Sequence, residues 1–212
     1  MYTLYFSPGT ASMCVHQALI EIGAPFELVR VDLATGQQRD ASYLKLNPTG
    51  RVPTLVIDGS PFGEVAALLQ ILAFRHPEAR LMPQNDPLKQ AQWHQWTVYL
   101  ANTLQAGFRL WFYPDDLSGD PAIQAAIKAG VRGTIEKCLQ RIDGHLGEHS
   151  PFMLGEQFSS VDLYLTMLLR WSRNMPRPAT DWPALNRYCR HLCARESWKR
   201  LCAVEELVGW PA

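Results

Sequence analysis

The 212-residue chain has no excess charge of either sign: twenty lysines and arginines stand against twenty aspartates and glutamates. A neutral chain offers no electrostatic footprint for nucleic acid or an anionic membrane. It also lacks long apolar runs, and none approaches the roughly 20 residues that cross a bilayer. The N-terminus has neither a basic leader nor a long apolar stretch, so no secretory signal is expected. Cysteine is sparse and odd in number, with five residues at Cys14, Cys138, Cys189, Cys193 and Cys202. That excludes a disulfide scaffold as the organising device and favours a reducing cytoplasm. Internal repeats and low-complexity segments are absent. The one grouping that suggests a metal, Cys189, His191, Cys193 and Cys202, fails on helical spacing. Cys189 and Cys193 share a face, His191 does not, and no metal is expected.

What is present is apolar. Hydrophobic residues make up 47% of the chain and charged ones 19%, enough for a real core and too apolar for disorder. The first eighty residues carry strand signals. "MYTLYF" and "FELVRVDL" flank a helical stretch, Ser12 to Ile22, closed by Gly23; this is a βαβ unit with a parallel strand pair. "DASYLKLNP" reads as a short helix stopped by Pro48. "RVPTLVIDG" reads as a third strand turning at Asp58-Gly59, and "EVAALLQILAFRH" as a buried helix. Residues 79–87 hold prolines without periodicity and read as a linker. Thereafter strand signals vanish. Residues 88–113 and 121–146 predict two long helices. "SSVDLYLTMLLRW" predicts a helix apolar all round, and two shorter helices follow. The expected fold is an α/β N-terminal domain over 1–78 and an all-α helical domain over 88–212.

Two local patterns have direct physical readings. Ser159-x-x-Asp162 before an apolar run predicts a capping box, in which the carboxylate reaches back to the cap N–H. Replacing Asp162 by Ala is then expected to cost about 1–2 kcal/mol. Pro53 cannot donate to a strand ladder, so it marks a strand start. The order βαβ, Val-Pro, strand, Asp-Gly, helix is thioredoxin-like. In that fold this proline is cis and lies beside the start of the first helix.

Taken together, "LYFSPGTAS", "NPTGRVPTL", "EVAALLQIL" and "FSSVDLYL" resemble the soluble glutathione S-transferase family, especially its bacterial beta-like groups, across essentially the whole chain. The resemblance implies a thioredoxin-like N-terminal domain that binds glutathione as a substrate, with no metal. It further implies a small apolar electrophile as co-substrate, a cytoplasmic homodimer, and a role in detoxification. Glutathione would be held by the backbone at Val52 and Pro53, by Glu64, and by the N–H groups of Val65 and Ala66. The aromatic cluster Phe108, Trp111 and Tyr113 would wall the co-substrate pocket. Gln37 to Arg39 reads as a solvated loop, with a contact to the ligand's glycine carboxylate as the alternative.

Such an enzyme must make a thiolate. A thiol of pKa near 8.5 is only about 3% ionised at pH 7, and lowering it by two units takes roughly 2.7 kcal/mol. A hydroxyl donor and a helix N-terminus aimed at sulfur both supply this. Ser12 is the first candidate hydroxyl, Thr10 the second and Tyr5 the third. Three departures bear on turnover. Ala11 stands where beta-class members carry cysteine, leaving Cys14 as a lone resolving position that cannot run dithiol exchange. Val65 replaces a serine that donates to the ligand's γ-glutamyl carboxylate. Gln105 stands near a family histidine, with Asn102 and His94 on earlier turns. A glutathione- or partner-binding relative without catalysis, and a glutathione-dependent peroxidase or disulfide reductase, are the alternative functions.

Overall fold

The computed structural model describes residues 1–211. Two compact units emerge. One joins residues 1–84 to residues 193–209; the other contains residues 85–192 and the last described residues. The C-terminal helix therefore belongs to the N-terminal unit, although its sequence reads as a continuation of the helical domain. Side-chain bonds to the first helix, detailed below, hold it there.

In the first unit, β1 (Tyr2–Phe6) alternates buried and half-buried residues, the period-2 signature of a strand with one face in a core. Helix α1 (Ser12–Ile22) follows and ends at Gly23, whose φ of 71° lets its N–H reach back to Leu19 O and Ile20 O. Strand β2 (Phe26–Arg30) pairs parallel with β1, as the βαβ pattern requires. A short helix α2 (Ala41–Leu44) precedes β3 (Thr54–Ile57), which runs antiparallel to β1. Beyond the Asp58-Gly59 turn lies β4 (Ser60–Phe62), antiparallel to β3. The sheet order is β2-β1-β3-β4. Strand β4 is absent from the sequence reading, although Asp-Gly is a hairpin signal; Pro61 is tolerated because this strand is the sheet edge. Helix α3 (Val65–Arg75) packs on α1.

The second unit is mainly helical, with two isolated antiparallel bridges, Phe152 to Gly155 and Leu154 to Gln157. Helix α4 (Pro87–Tyr99) starts at Asp86, whose carboxylate accepts from Lys89 N–H at 3.0 Å. Its axis continues through a wide π-helical turn, Leu100–Gln105, into α5 (Ala106–Phe112). The long helix α6 (Pro121–Glu148) is capped by Asp120. Helix α7 (Ser160–Trp171) is buried from Ser160 to Arg170, as its unbroken apolar pattern predicts. Helix α8 (Pro183–Cys193) is capped by Asp143, which accepts from Ala184 and Leu185 N–H at 2.8 and 3.0 Å. Helix α9 (Glu196–Val204) belongs to the first unit.

The capping box at α7 is a larger network than the motif alone implies. Asp162 is fully buried and accepts from Ser159 N–H (2.8 Å), the Ser159 hydroxyl (3.1 Å), Met153 N–H (2.8 Å) and the Tyr188 hydroxyl (2.9 Å). Burial still pushes its carboxyl up to about 6, because these four donors bring no cation. Removing the carboxyl strands buried donors on three segments, so Asp162→Ala is expected to cost about 3–5 kcal/mol in urea unfolding, more than helix capping alone. A raised pKa also has a sign. The folded carboxyl holds its proton more tightly than the unfolded one, so this group's contribution is complete below the ordinary 3.8 and lost as pH rises through about 6. The stability gap between the wild-type chain and Asp162→Asn should accordingly move in favour of the wild type as pH falls from 7.5 to 5.

Candidate active site

Register and strand direction bring three segments of the first unit to one end of the sheet. Tyr5 pairs with Thr54, so the continuation of β1 into Ser7 runs beside Pro53 and Val52. Strand β4 runs antiparallel to β3, so it leaves the sheet at the same end and delivers the start of α3 there. The turn Ser7–Ser12, the Val52–Pro53 segment and the N-terminus of α3 thus share one rim.

Two of these segments leave polar backbone available. The Val52–Pro53 peptide is cis, and no hydrogen bond among the described residues reaches the Val52 backbone. Helix α3 has no capping side chain, so its first N–H groups, at Val65 and Ala66, have no intrahelical partner; at α1 the Ser12 N–H donates to Thr10 Oγ1 at 3.4 Å and the Met13 N–H to Thr10 O at 3.1 Å. Glu64 sits at the α3 N-cap with φ 63° and ψ 104° and is exposed. That is a sparsely populated backbone region for a residue with a Cβ, and such outliers concentrate at ligand sites. Two residues the sequence reading passed over brace the rim. Buried Asn47 donates to Arg51 O (2.8 Å) and Thr54 Oγ1 (3.1 Å), and accepts from Thr49 N–H (3.1 Å) and the Thr49 hydroxyl (2.7 Å). The Tyr43 hydroxyl adds a bond to Arg51 O at 2.7 Å. Asn47-Pro48 is a turn signal that pointed to this loop.

Comparison with known proteins now decides the family. Residues 1–72 match the family profile described as "Glutathione S-transferase, N-terminal domain", and residues 120–191 match "Glutathione S-transferase, C-terminal domain". Glutathione S-transferase GstA of Escherichia coli O157:H7 is 32% identical over 171 residues, 80% of this chain and 81% of that one. A glutathione transferase homologue from Sulfitobacter, solved with bound glutathione, superposes with a TM-score of 0.91 at 31% identity, over 98% of this chain and 99% of that one. The ternary complex of BphK, a bacterial glutathione S-transferase, gives 0.85 at 34% identity, over 97% and 100%. The chain belongs to the glutathione S-transferase family.

Within this transferase the expected site residues separate. Ser12 is 0% exposed. Its hydroxyl donates to Ser7 O at 3.0 Å and accepts from Ser7 N–H at 3.3 Å, so it knits the turn shut. The structure thus brings the Ser12 hydroxyl against Ser7 within the turn. A hydroxyl at the start of an α-helix faces inward when the preceding turn offers it a carbonyl. Thr10 is partly exposed, with its hydroxyl 2.7 Å from Ser7 O and 3.0 Å from Ser12 Oγ. The Ser7 carbonyl therefore has two hydroxyl donors within reach. Tyr5 packs edge-on against Tyr43, ring centroids 5.9 Å apart. Cys14 is wholly buried, and its burial pushes the thiol far above the ordinary cysteine range, so it is inert. Val65 is buried, so its side chain contributes no donor while its N–H stays at the helix start.

In the second unit, Phe108 has no exposed surface; it stacks on Phe112 and meets Trp171 edge-on. It lies in the core, while Trp111 and Tyr113 keep accessible area. Gln105 accepts a hydrogen bond from the Tyr164 hydroxyl. Among the described residues no cluster of three or more metal-ligating side chains occurs.

Because Asn47 holds both ends of the loop that presents Val52, Asn47→Ala should cost about 1–3 kcal/mol of stability. It should also speed hydrogen exchange at Gly50 to Thr54, as read by mass spectrometry.

Proposed function

We propose that this transferase binds glutathione at the rim described above and activates its thiol for attack on a small apolar electrophile. The observation that carries the reading is the convergence of the uncapped start of α3, the hydroxyl-bearing turn before α1 and the unpartnered backbone of Val52 at one end of the sheet. The tripeptide's backbone would pair with the N–H and C=O of Val52, next to Pro53. Its γ-glutamyl carboxylate would accept from the N–H groups of Val65 and Ala66, where the positive end of α3 favours an anion. Exposed Glu64 would take the ligand's ammonium.

The sulfur would lie over the start of α1. Thr10 supplies the hydroxyl: turning it to the sulfur leaves Ser7 O still served by Ser12, so no buried acceptor is stranded. The positive end of the α1 dipole adds the rest of the thiolate stabilisation. Ala11 brings no cysteine and Cys14 is inert, so the ligand's own thiol is the nucleophile. Five free thiols suit a reducing cytoplasm, and a detoxifying role follows from conjugation of an apolar electrophile.

A homodimer is part of this reading. Each unit exposes large apolar side chains, Phe62 and Phe74 in the first and Leu88 and Val98 in the second, and a second copy of the chain is the proposed cover. Sedimentation equilibrium at micromolar concentration should give twice the chain mass.

The decisive assay pairs glutathione titration calorimetry with two turnover measurements, conjugation of a dinitrohalobenzene and reduction of an organic hydroperoxide. Binding with conjugation supports the reading. Binding without turnover would leave a ligand-binding relative, hydroperoxide reduction alone would make it a peroxidase, and no binding would end the proposal. Thr10→Val should lower kcat/KM about tenfold or more and raise the pKa of the bound thiol. Ser12→Ala should mainly lower the melting temperature. Val65→Ser should tighten glutathione about tenfold by restoring a donor to a charged group.

A further inference from the structure

The first turn of the site is held from an unexpected place in the chain. Glu205, one residue beyond α9, and His16 on α1 have side chains 0% and 1% exposed. The Glu205 Oε1 lies 2.9 Å from His16 Nδ1, and its Oε2 accepts from Gly9 N–H at 2.9 Å. His16 is itself wedged between the rings of Phe6 and Phe26, centroids 5.9 and 5.6 Å away. A carboxylate so far from water is costly unless every lone pair is served, and one of its two partners is the turn that carries Thr10. Fastening α9 to α1 does not require it. Arg195 already makes two bonds of 2.9 Å to Glu21, and Ser197 accepts from Gln17 at 3.1 Å.

We propose that Glu205 is a positioning residue for the thiol-binding turn: its carboxylate, oriented by His16, fixes Gly9 and so sets where the Thr10 hydroxyl and the positive end of α1 stand. This rests on the glutathione reading. Gly9 is the residue before Thr10 and has φ 73°, so its N–H direction governs how the chain enters the hydroxyl-bearing turn. The C-terminal segment of the transferase thereby becomes part of the glutathione site without touching the ligand. Geometry rather than charge is the working feature. A glutamine can replace both links, its carbonyl accepting from Gly9 N–H and its amide donating to an unprotonated His16 Nδ1.

The test compares Glu205→Gln, Glu205→Ala and the double variant Arg195→Ala with Ser197→Ala. Four readouts are taken: melting temperature, KM and kcat for glutathione, the pH at which bound thiolate absorbance appears, and hydrogen exchange of the Gly9 amide by NMR. Glu205→Ala should raise KM about five- to tenfold, the loss of one hydrogen-bonded contact, shift thiolate formation to higher pH, and expose the Gly9 amide. Glu205→Gln should restore all three. The double variant should lower the melting temperature and leave the thiolate profile unchanged. Two results overturn the proposal: a folded Glu205→Ala with wild-type Gly9 exchange and thiolate profile, or a double variant that reproduces the thiolate shift. Should Glu205→Ala fail to fold, Glu205→Asp is read the same way, since one methylene less cannot span both partners. A wild-type chain that binds no glutathione defeats the functional reading, and Gly9 exchange still decides whether Glu205 holds the turn.

Discussion

The antiparallel pairing of Tyr5 with Thr54 is the constraint on which the site depends. It places the end of β1 beside the start of β3, and β4 then returns the chain so that α3 begins at the same rim. A register slip of one residue would turn Thr54 and Leu55 to opposite faces and carry Val52 away from the first turn. Asn47 and Tyr43 guard against this by bonding to Arg51 O and Thr54 Oγ1 from outside the sheet. The chemistry expected at the rim, a thiolate stabilised by the positive end of α1 and one hydroxyl, needs that register more than any single side chain.

The departures from the family pattern become coherent in this frame. A site built largely from main chain tolerates side-chain loss. Val65 in place of serine removes one donor but leaves the helix start intact. Ala11 in place of cysteine removes a redox partner that glutathione itself replaces. The buried hydroxyl of Ser12 bonds Ser7 within the turn, and the partly exposed Thr10 hydroxyl shares the same carbonyl.

Much of the fold was legible in the chain. The βαβ unit, the proline before β3 and the all-apolar α7 were carried by periodicity and punctuation, signals that are local in sequence. Strand β4 was missed because three residues with a proline fall below any periodic signal. In the candidate site, Val52, Glu64, Val65 and Ala66 were named from the family resemblance, and the structure brings their segments to one end of the sheet. The burial of Ser12 and Phe108 was not legible for one reason: a hydroxyl at a helix start or an aromatic at helical spacing looks the same whether it faces the surface or the core. Asn47 was missed because its value lies in bonds to residues four and seven positions away in a folded loop.

By itself the sequence determined the order of elements, the absence of charge bias and the family, because these rest on composition and short-range pattern. Only the tertiary structure decided that α9 joins the first unit and that Glu205 lies against Gly9 and His16. It also decided that the hydroxyl of Ser12 is spent on Ser7. Such outcomes depend on contacts across as many as 196 positions, and no local pattern in a single chain encodes which distant carboxylate will satisfy a given N–H once water is excluded.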